Sequence, residues 1–594
     1  MPSFPVRALR AAALAALCLL VYALAPDAVG LANAQETLRL RAAAEMHERA
    51  DWLLPTIRGE AYVAKPPLIY WGQLALAELR GVEPDVRGLR VVVAIGGTAG
   101  VLAVYILGAP LLRRAGEPPG RAETGALLAA ATMAVGILYV RSSRVGELDV
   151  LLVAPVTIAL WALVAAWEPA EEPAPAASAP RRPPIRWGLL AVATAACAAA
   201  ALVKGPVPLA LVAVALIGGQ LAWCAIQGGP SRLARTLGAV AALAAGAVAA
   251  TGAVGWSDWI GALIHAAAAW LVVSLVTRAL ASAGSRAAVG RALVRTQPWL
   301  VLPIGLGAVA AWWLAVRGQV GPELLAELGE DQVRHNLRVL QPASPVKNLG
   351  FFAYGLLPVA SAAGVLGLAH VARERPRLAP AGVVILAWVV GGFILFSIAG
   401  KGVARYLTPV WPGVSLLAGW TIARGLASAD LRPGQVAAWR AAVWAAVVVA
   451  AAAQTWWYGV ARREVEGPVS PAPWAAAALD ALPVEPGRTA SWDVPTLTLE
   501  FYWPGEVDAF SEREKGPGAG GLLEWIEGRF AESAAPVWIV ALEPRADLAR
   551  RYGDVRGALD AAGLAFETVR PGPEWLRPRD DAGVVLLRVD PPAG

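Results

Sequence analysis

Tyr62-Val-Ala-Lys65-Pro66-Pro67-Leu-Ile-Tyr70-Trp71 is a basic, proline-paired, aromatic segment that precedes a series of long apolar runs. The two prolines fix an extended entry, and Pro67 is suited to start a short helix through Leu79. Tyr70 and Trp71 suit the headgroup level of a bilayer. Upstream, Thr37–Ala50 mixes Leu38, Leu40, Ala44 and Met46 with Arg39, Arg41, Glu45 and Arg49, the pattern of an amphipathic helix lying along a membrane surface. Lys65 is one of only five lysines (Lys65, Lys204, Lys347, Lys401 and Lys515) among 51 basic residues. A lysine is a compact point charge suited to a phosphate oxygen.

The 594 residues are 57% hydrophobic and 16% charged, with a mean hydropathy of +0.54. Soluble domains carry about 25% charged residues, so the chain reads as a membrane protein. Its net charge of +6 needs no nucleic-acid partner, because basic loops are expected beside bilayers. Cys18, Cys197 and Cys224 all fall in apolar runs; no disulfide framework or metal-ligand spacing is visible, and no cofactor or divalent metal is indicated. About thirteen runs are long enough to span, near 8–26, 91–112, 123–140, 150–167, 187–203, 206–226, 236–254, 260–277, 298–316, 350–370, 379–399, 407–423 and 441–458. His265 is the ionisable residue clearly inside one, and reads as a hydrogen-bonded or interfacial histidine.

Arginines set the orientation. With a cytoplasmic N-terminus, the inside segments carry Arg7/Arg10, Arg113/Arg114/Arg121, Arg181/Arg182/Arg186, Arg232/Arg235, Arg286/Arg291/Arg295, Arg373/Arg375/Arg377 and Arg432/Arg440. A cleaved signal peptide ending near Ala23-Leu-Ala25 is the competing reading of the N-terminus and leaves the same topology. All five lysines then fall outside, against the positive-inside trend. The Pro/Ala-rich stretch 168–184 reads as a cytoplasmic linker. Residues 1–459 form the membrane domain, with a first outer loop over 27–90 and a large one over 317–349. Residues 460–594 turn soluble, with strands at Val537–Ala541 and Val584–Val589 and helices at Leu522–Ala531 and Leu548–Ala562, a small extracytoplasmic α/β domain.

In the first outer loop, Gln35-Glu36, Glu45-Met46, Asp51-Trp-Leu-Leu-Pro55, Gly59-Glu-Ala-Tyr62 and Lys65-Pro-Pro-Leu-Ile-Tyr-Trp71 resemble the ArnT-like and dolichyl-phosphate-mannose protein mannosyltransferase superfamily. Further along, Ser142–Asp149 is similar to the family's second acidic loop and Leu202-Val-Lys-Gly-Pro206 to its lysine turn. Glu330-Asp-Gln-Val-Arg334 with Pro345 and Gly355-Leu-Leu-Pro358, and Lys401 through Tyr406-Leu-Thr-Pro409 and Pro412, resemble its later elements. The resemblance implies a mainly α, polytopic GT-C fold with interfacial helices and a small C-terminal α/β domain, in a bacterial cytoplasmic (inner) membrane. It also implies transfer of a sugar from a polyprenyl-phosphate donor to a hydroxyl or phosphate of lipid A, a glycan or a protein, with inversion, on the extracytoplasmic face.

Such a transfer makes two demands. The departing phosphate gains negative charge, which fixed cations must meet; the attacking hydroxyl loses a proton, which a carboxylate must take. By the resemblance, Lys65, Lys204, Arg334 and Tyr406 meet the phosphate, with Lys401 and Arg405 as further candidates, while Gln35, Tyr62, Pro66, Pro67, Tyr70 and Trp71 shape the substrate loop. The acidic side departs from the family. Gln35 stands where an aspartate is usual and cannot act as a base. Glu36 or Asp149 then takes that role, or activity is altered or lost; Glu147 stands beside Asp149 and reads equally as a solvated carboxylate or as part of the site. A transporter or flippase of a lipid-linked sugar is the competing class, and a degenerate phosphate-binding relative a third. Transporters place ionisable groups at mid-membrane, which these runs lack.

Overall fold

The computed structural model describes residues 3–26, 34–167, 185–227, 232–250, 256–320, 344–356, 361, 363–364, 367, 379–398, 402–427, 432–461, 487–492, 507–510, 519–542, 555–569 and 584–592. They form two compact units: 1–24, 43–84 and 88–455 in one, and 25–42, 85–87 and 456–594 in the other. Arg334, Lys401, Lys515 and the linker 168–184 lie outside the described residues.

The helices, in chain order, are α1 (Phe4–Ala23), α2 (Ala34–Glu48), α3 (Leu68–Arg80), α4 (Val86–Arg114), α5 (Pro119–Ala134), α6 (Ile137–Arg144), α7 (Val153–Trp167), α8 (Trp187–Lys204), α9 (Val207–Gln227), α10 (Arg232–Ala250), α11 (Trp256–Leu280), α12 (Ala283–Thr296) and α13 (Pro298–Val320). They continue with α14 (Ser344–Tyr354), α15 (Pro380–Ile398), α16 (Trp411–Gly425) and α17 (Pro433–Trp456). Among the described residues, ten helices are long and apolar enough to cross a membrane, or eleven if the bent pair α5–α6 counts as one span. Lipid cannot hydrogen-bond a backbone, so apolar chain of this length closes its hydrogen bonds within helices.

Two of the expected thirteen spans are corrected, and a further one is described only in part. The run near 350–370 lies partly outside the described residues. The run 407–423 is a 3-10 helix, Ala404–Val410, leading into the fifteen-residue α16, which alone is too short to span. The run 123–140 breaks by 61° between α5 and α6. That break frees backbone groups, and each is met: Tyr22 Oη donates to Ala134 O at 2.8 Å, Gln454 Nε2 to Val135 O at 2.6 Å, and Leu138 N to Gly355 O at 2.9 Å. His265 is satisfied as expected, with Nδ1 2.9 Å from Gly261 O and Nε2 3.3 Å from Ser397 O.

Small residues decide how closely the helices approach. On α4, a methyl group at Gly97 would meet the Ser143 side chain, and one at Gly100 would meet Tyr139 and Val153. These notches admit α6, whose Tyr139 Oη donates to Gly97 O at 2.8 Å. Gly419 on α16 packs directly on the α5 backbone, where a Cβ would meet Gly125 O and lie 2.7 Å from Ala129 N. Arg144, at the end of α6, donates to Val21 O at 2.5 Å and Leu24 O at 2.6 Å, satisfying carbonyls at the end of α1.

The first interhelical loop is built on Glu45. Strands β1 (Thr56–Ile57) and β2 (Glu60–Ala61) pair across Arg58 and Gly59, both at positive φ (55° and 76°), the conformation of a tight hairpin turn. The buried Glu45 carboxylate accepts from Thr56 Oγ1 at 2.7 Å, Arg58 N at 2.8 Å and Gly59 N at 3.1 Å, which offsets the strain of the non-glycine Arg58. Along α2, Glu36, Thr37, Arg39, Leu40, Ala42, Ala43, Glu45 and Met46 are buried, and Gln35, Leu38, Arg41, Ala44 and His47 are half-buried. Helix α3 begins just after Pro67, whose carbonyl accepts from Trp71 N at 2.9 Å, and ends on Gly81 at φ 66°.

The second unit holds strands β3 (Thr489–Trp492), β4 (Val507–Phe510), β5 (Val537–Leu542), β6 (Phe566–Val569) and β7 (Val584–Val589) in the order β4-β3-β5-β7-β6. The first three are parallel and β7 runs antiparallel to both its neighbours. Trp492, Ile539 and Leu587 pack against Leu522 and Ile526 of α18 (Ala519–Glu532) and Leu559 of α19 (Val555–Ala561); the expected strands and the first expected helix are present, while residues 548–554 of the second lie outside the described residues. Arg488 caps the end of α18, donating to Arg529 O at 3.0 Å and Ser533 O at 3.1 Å.

Candidate active site

Lys204 is the last residue of α8, where the partial negative charge of a helix end favours a cation. Gly205 follows at φ 63° and ψ −139°, a conformation few other residues adopt, and turns the chain into α9. Asp149 lies in the 3-10 helix Leu148–Leu152, which packs against α8, and Tyr406 lies in Ala404–Val410, which packs against Leu148–Leu152. Three segments far apart in sequence therefore meet. Lys204 Nζ is in direct contact with Asp149 Oδ1 and lies 4.1 Å from the centre of the Tyr406 ring. The Asp149 side chain is 3% exposed and that of Lys204 16%, so the pair is largely withdrawn from water. Arg405 also stands over the Tyr406 ring, its Cζ 5.5 Å from the ring centre.

A second pair adjoins the first. Glu147, which the sequence left open between solvent and the site, is 5% exposed. It accepts from Ser142 Oγ at 3.0 Å and lies 3.8 Å from Arg141 Nη2. Burial pushes its carboxyl above the ordinary range; Arg141 opposes this, Asp149 adds to it, and the Ser142 hydrogen bond and Arg405 oppose it more weakly. The cluster thus holds Lys204, Arg405 and Arg141 against Asp149 and Glu147, with the Tyr406 ring in contact with two of the cations.

The remaining predicted residues are placed as follows. Lys65 precedes α3, which packs against α8; its Nζ donates to Ala64 O at 3.0 Å. Pro66, Pro67 and Tyr70 are buried in protein rather than set at a headgroup surface. Trp71 is half-buried and donates from Nε1 to Trp52 O at 2.6 Å, and Tyr62 N donates to Pro55 O at 2.8 Å. Gln35 and Glu36 belong to the second unit, where Glu36 is buried in the first turn of α2 and Gln35 Oε1 accepts from Arg39 Nη2 at 3.3 Å. Arg141 went unassigned in the sequence. The one signal available was its spacing, three residues before Arg144 and six before Glu147 in a run otherwise read as a span end.

No family model and no curated protein sequence matches the chain. Solved structures do. The crystal structure of ArnT from Cupriavidus metallidurans bound to undecaprenyl phosphate is 18% identical, with 97% of each chain covered and a TM-score of 0.57. The same protein in the apo state gives 18% identity over 98% of this chain and 97% of that one, with a TM-score of 0.56. The apo oligosaccharyltransferase of Archaeoglobus fulgidus gives 14% identity and a TM-score of 0.50, over 90% of this chain and 69% of that one. The class is therefore a polytopic membrane protein of GT-C architecture with a small C-terminal sheet domain. Within it, the fold is ArnT-like.

Proposed function

We propose that this chain is an integral membrane glycosyltransferase. It moves a sugar from a polyprenyl-phosphate donor to an acceptor hydroxyl or phosphate, with inversion, on the extracytoplasmic face of a bacterial inner membrane. The observation that carries the reading is the Lys204–Asp149 contact beneath the Tyr406 ring, with Arg405 alongside, in an ArnT-like fold. In the reaction the bond from the sugar C1 to the phosphate oxygen breaks, and its electron pair leaves with the polyprenyl phosphate. The acceptor oxygen bonds to C1 and gives its proton to a carboxylate. Lys204 and Arg405 stabilise the departing phosphate, with Tyr406 holding both cations in place and donating its own hydroxyl. Lys65, Arg334 and Lys401 complete the set on the phosphate side. Asp149, bound to Lys204, orients that ammonium, which leaves Glu36 as the first candidate for the proton.

The test is transfer by the full-length protein, reconstituted with a polyprenyl-phosphate sugar and envelope glycolipid, glycan or protein acceptors. Removing one phosphate-side contact by Lys204→Gln or Lys65→Ala is expected to raise the barrier by about 3–4 kcal/mol. Full activity in both variants sinks the phosphate assignment. Glu36→Gln compared with Asp149→Asn separates the base from the orienting carboxylate: the first lowers kcat most at neutral pH, the second also weakens donor binding.

A further inference from the structure

Helix α6 has two unlike faces. Leu138, Tyr139, Val140, Ser142 and Ser143 are buried, whereas Ile137 and Arg141, one turn apart, are 44% and 52% exposed. In a helix that continues a membrane-length run past a bend, an exposed isoleucine beside an exposed arginine offers one surface for an acyl chain and another for its headgroup. Arg141 is also lightly held. Among the described residues its one ion pair is with Glu147, and 3.8 Å exceeds hydrogen-bond reach. Glu147 is anchored instead by its hydrogen bond from Ser142, so the guanidinium is not drawn into a closer pair. Glu147 in turn feels Asp149 and Arg405, the same groups that surround Lys204 and Tyr406. Arg141 therefore stands at the exposed edge of the catalytic cluster with its planar fork of donors unspent. A terminal phosphate monoester suits such a fork, because it offers unsubstituted oxygens in pairs.

We propose that Arg141 is a phosphate-binding residue at the lipid-exposed edge of the site, taking the phosphate monoester of a membrane lipid, with Glu147 orienting its guanidinium. This rests on the reading of the site as one for lipid phosphates. Two lipids carry that chemistry: the polyprenyl carrier and a phosphorylated acceptor such as lipid A.

The test uses the full-length protein in phosphatidylcholine nanodiscs, titrated separately with undecaprenyl phosphate, lipid A and phosphatidylglycerol, a diester. Arg141→Gln is expected to weaken one of the two monoester lipids roughly tenfold or more and to leave phosphatidylglycerol unchanged. Loss with undecaprenyl phosphate places the carrier at Arg141; loss with lipid A places the acceptor there. Arg141→Lys recovers part of the loss, as a point charge without the fork. Equal losses for all three lipids mean that Arg141 is a general headgroup anchor and overturn the proposal, as does wild-type affinity of Arg141→Gln for both monoesters. Failure of the wild-type protein to bind either monoester refutes the lipid-phosphate reading itself, a separate result. The residue is half exposed, so Arg141→Gln keeps the fold, which its thermal midpoint verifies.

Discussion

Asp149→Asn removes the counter-charge from an ammonium that stays largely buried. Breaking a buried pair by deleting one partner costs about 3–5 kcal/mol, because the other charge is left uncompensated. Two features soften the loss. Lys204 keeps 16% of its surface in contact with solvent. Its Nζ also remains 4.1 Å from the Tyr406 ring centre, a cation–π contact worth about 0.5–2 kcal/mol. The expected net loss is therefore about 2–3 kcal/mol. Denaturant titration of the detergent-solubilised protein, followed by tryptophan fluorescence, measures it. A cycle with Lys204→Met sharpens the result: the double variant loses less than the two single losses added together, by roughly 1–3 kcal/mol. An Asp149→Asn variant within about 0.5 kcal/mol of wild type, or strictly additive losses, would refute the pairing as a source of stability.

Glu147→Gln tests the buried carboxyl. Its folded pKa lies above the ordinary value of 4.5, so the native state holds the proton more tightly than the unfolded state. The stability this contributes is present in full below 4.5 and is lost as pH rises through the folded value. Thermal midpoints of the glutamine variant should therefore fall less than those of wild type as pH rises from 4.5; parallel curves would contradict the shift. Glu45→Ala strips Thr56 Oγ1 and the Arg58 and Gly59 amides of their acceptor, an expected loss of about 3 kcal/mol at roughly 1 kcal/mol per hydrogen bond. Faster tryptic cleavage at Arg58 reports it, and unchanged cleavage counts against the brace. Gly419→Ala places a methyl group against the α5 backbone, which cannot rotate away, and is expected to cost about 1–3 kcal/mol in the same unfolding assay.

Much of the architecture was legible because lipid imposes a simple rule on apolar length. The rule failed where local chemistry interrupts an apolar run without changing its composition. The break after Ala134 carries no proline, and Gly136 alone does not announce a bend of 61°. In α2, the alternation of charge and leucine suggested a solvated face. The partners that bury Glu45 lie eleven to fourteen residues away in a hairpin, beyond the reach of helical periodicity. At the site, Lys204, Asp149 and Tyr406 each stood out in the sequence. Their meeting was legible through the family resemblance and not from spacing, since 55 residues separate the first two and the third arrives from another segment. Glu147 stayed open in the sequence because a glutamate beside an aspartate can be solvated or buried; its burial and the Ser142 hydrogen bond decide it.

The joint between α5 and α6 has a bearing on biosynthesis. Its loose carbonyls are claimed by side chains from the first and the last of the membrane-length helices, Tyr22 and Gln454. Tyr22 is already in the bilayer when Ala134 leaves the ribosome, but Gln454 is translated 319 residues after Val135. Until then the Val135 carbonyl has no protein donor, a cost of several kcal/mol if it faces lipid. The last of the contacts that hold the segment leading to Glu147 and Asp149 is thus made only when the C-terminal helix inserts. A nascent chain that terminates early carries every described residue of the cluster without this contact, and a released fragment ending before residue 433 should be recognised by membrane quality control rather than accumulate.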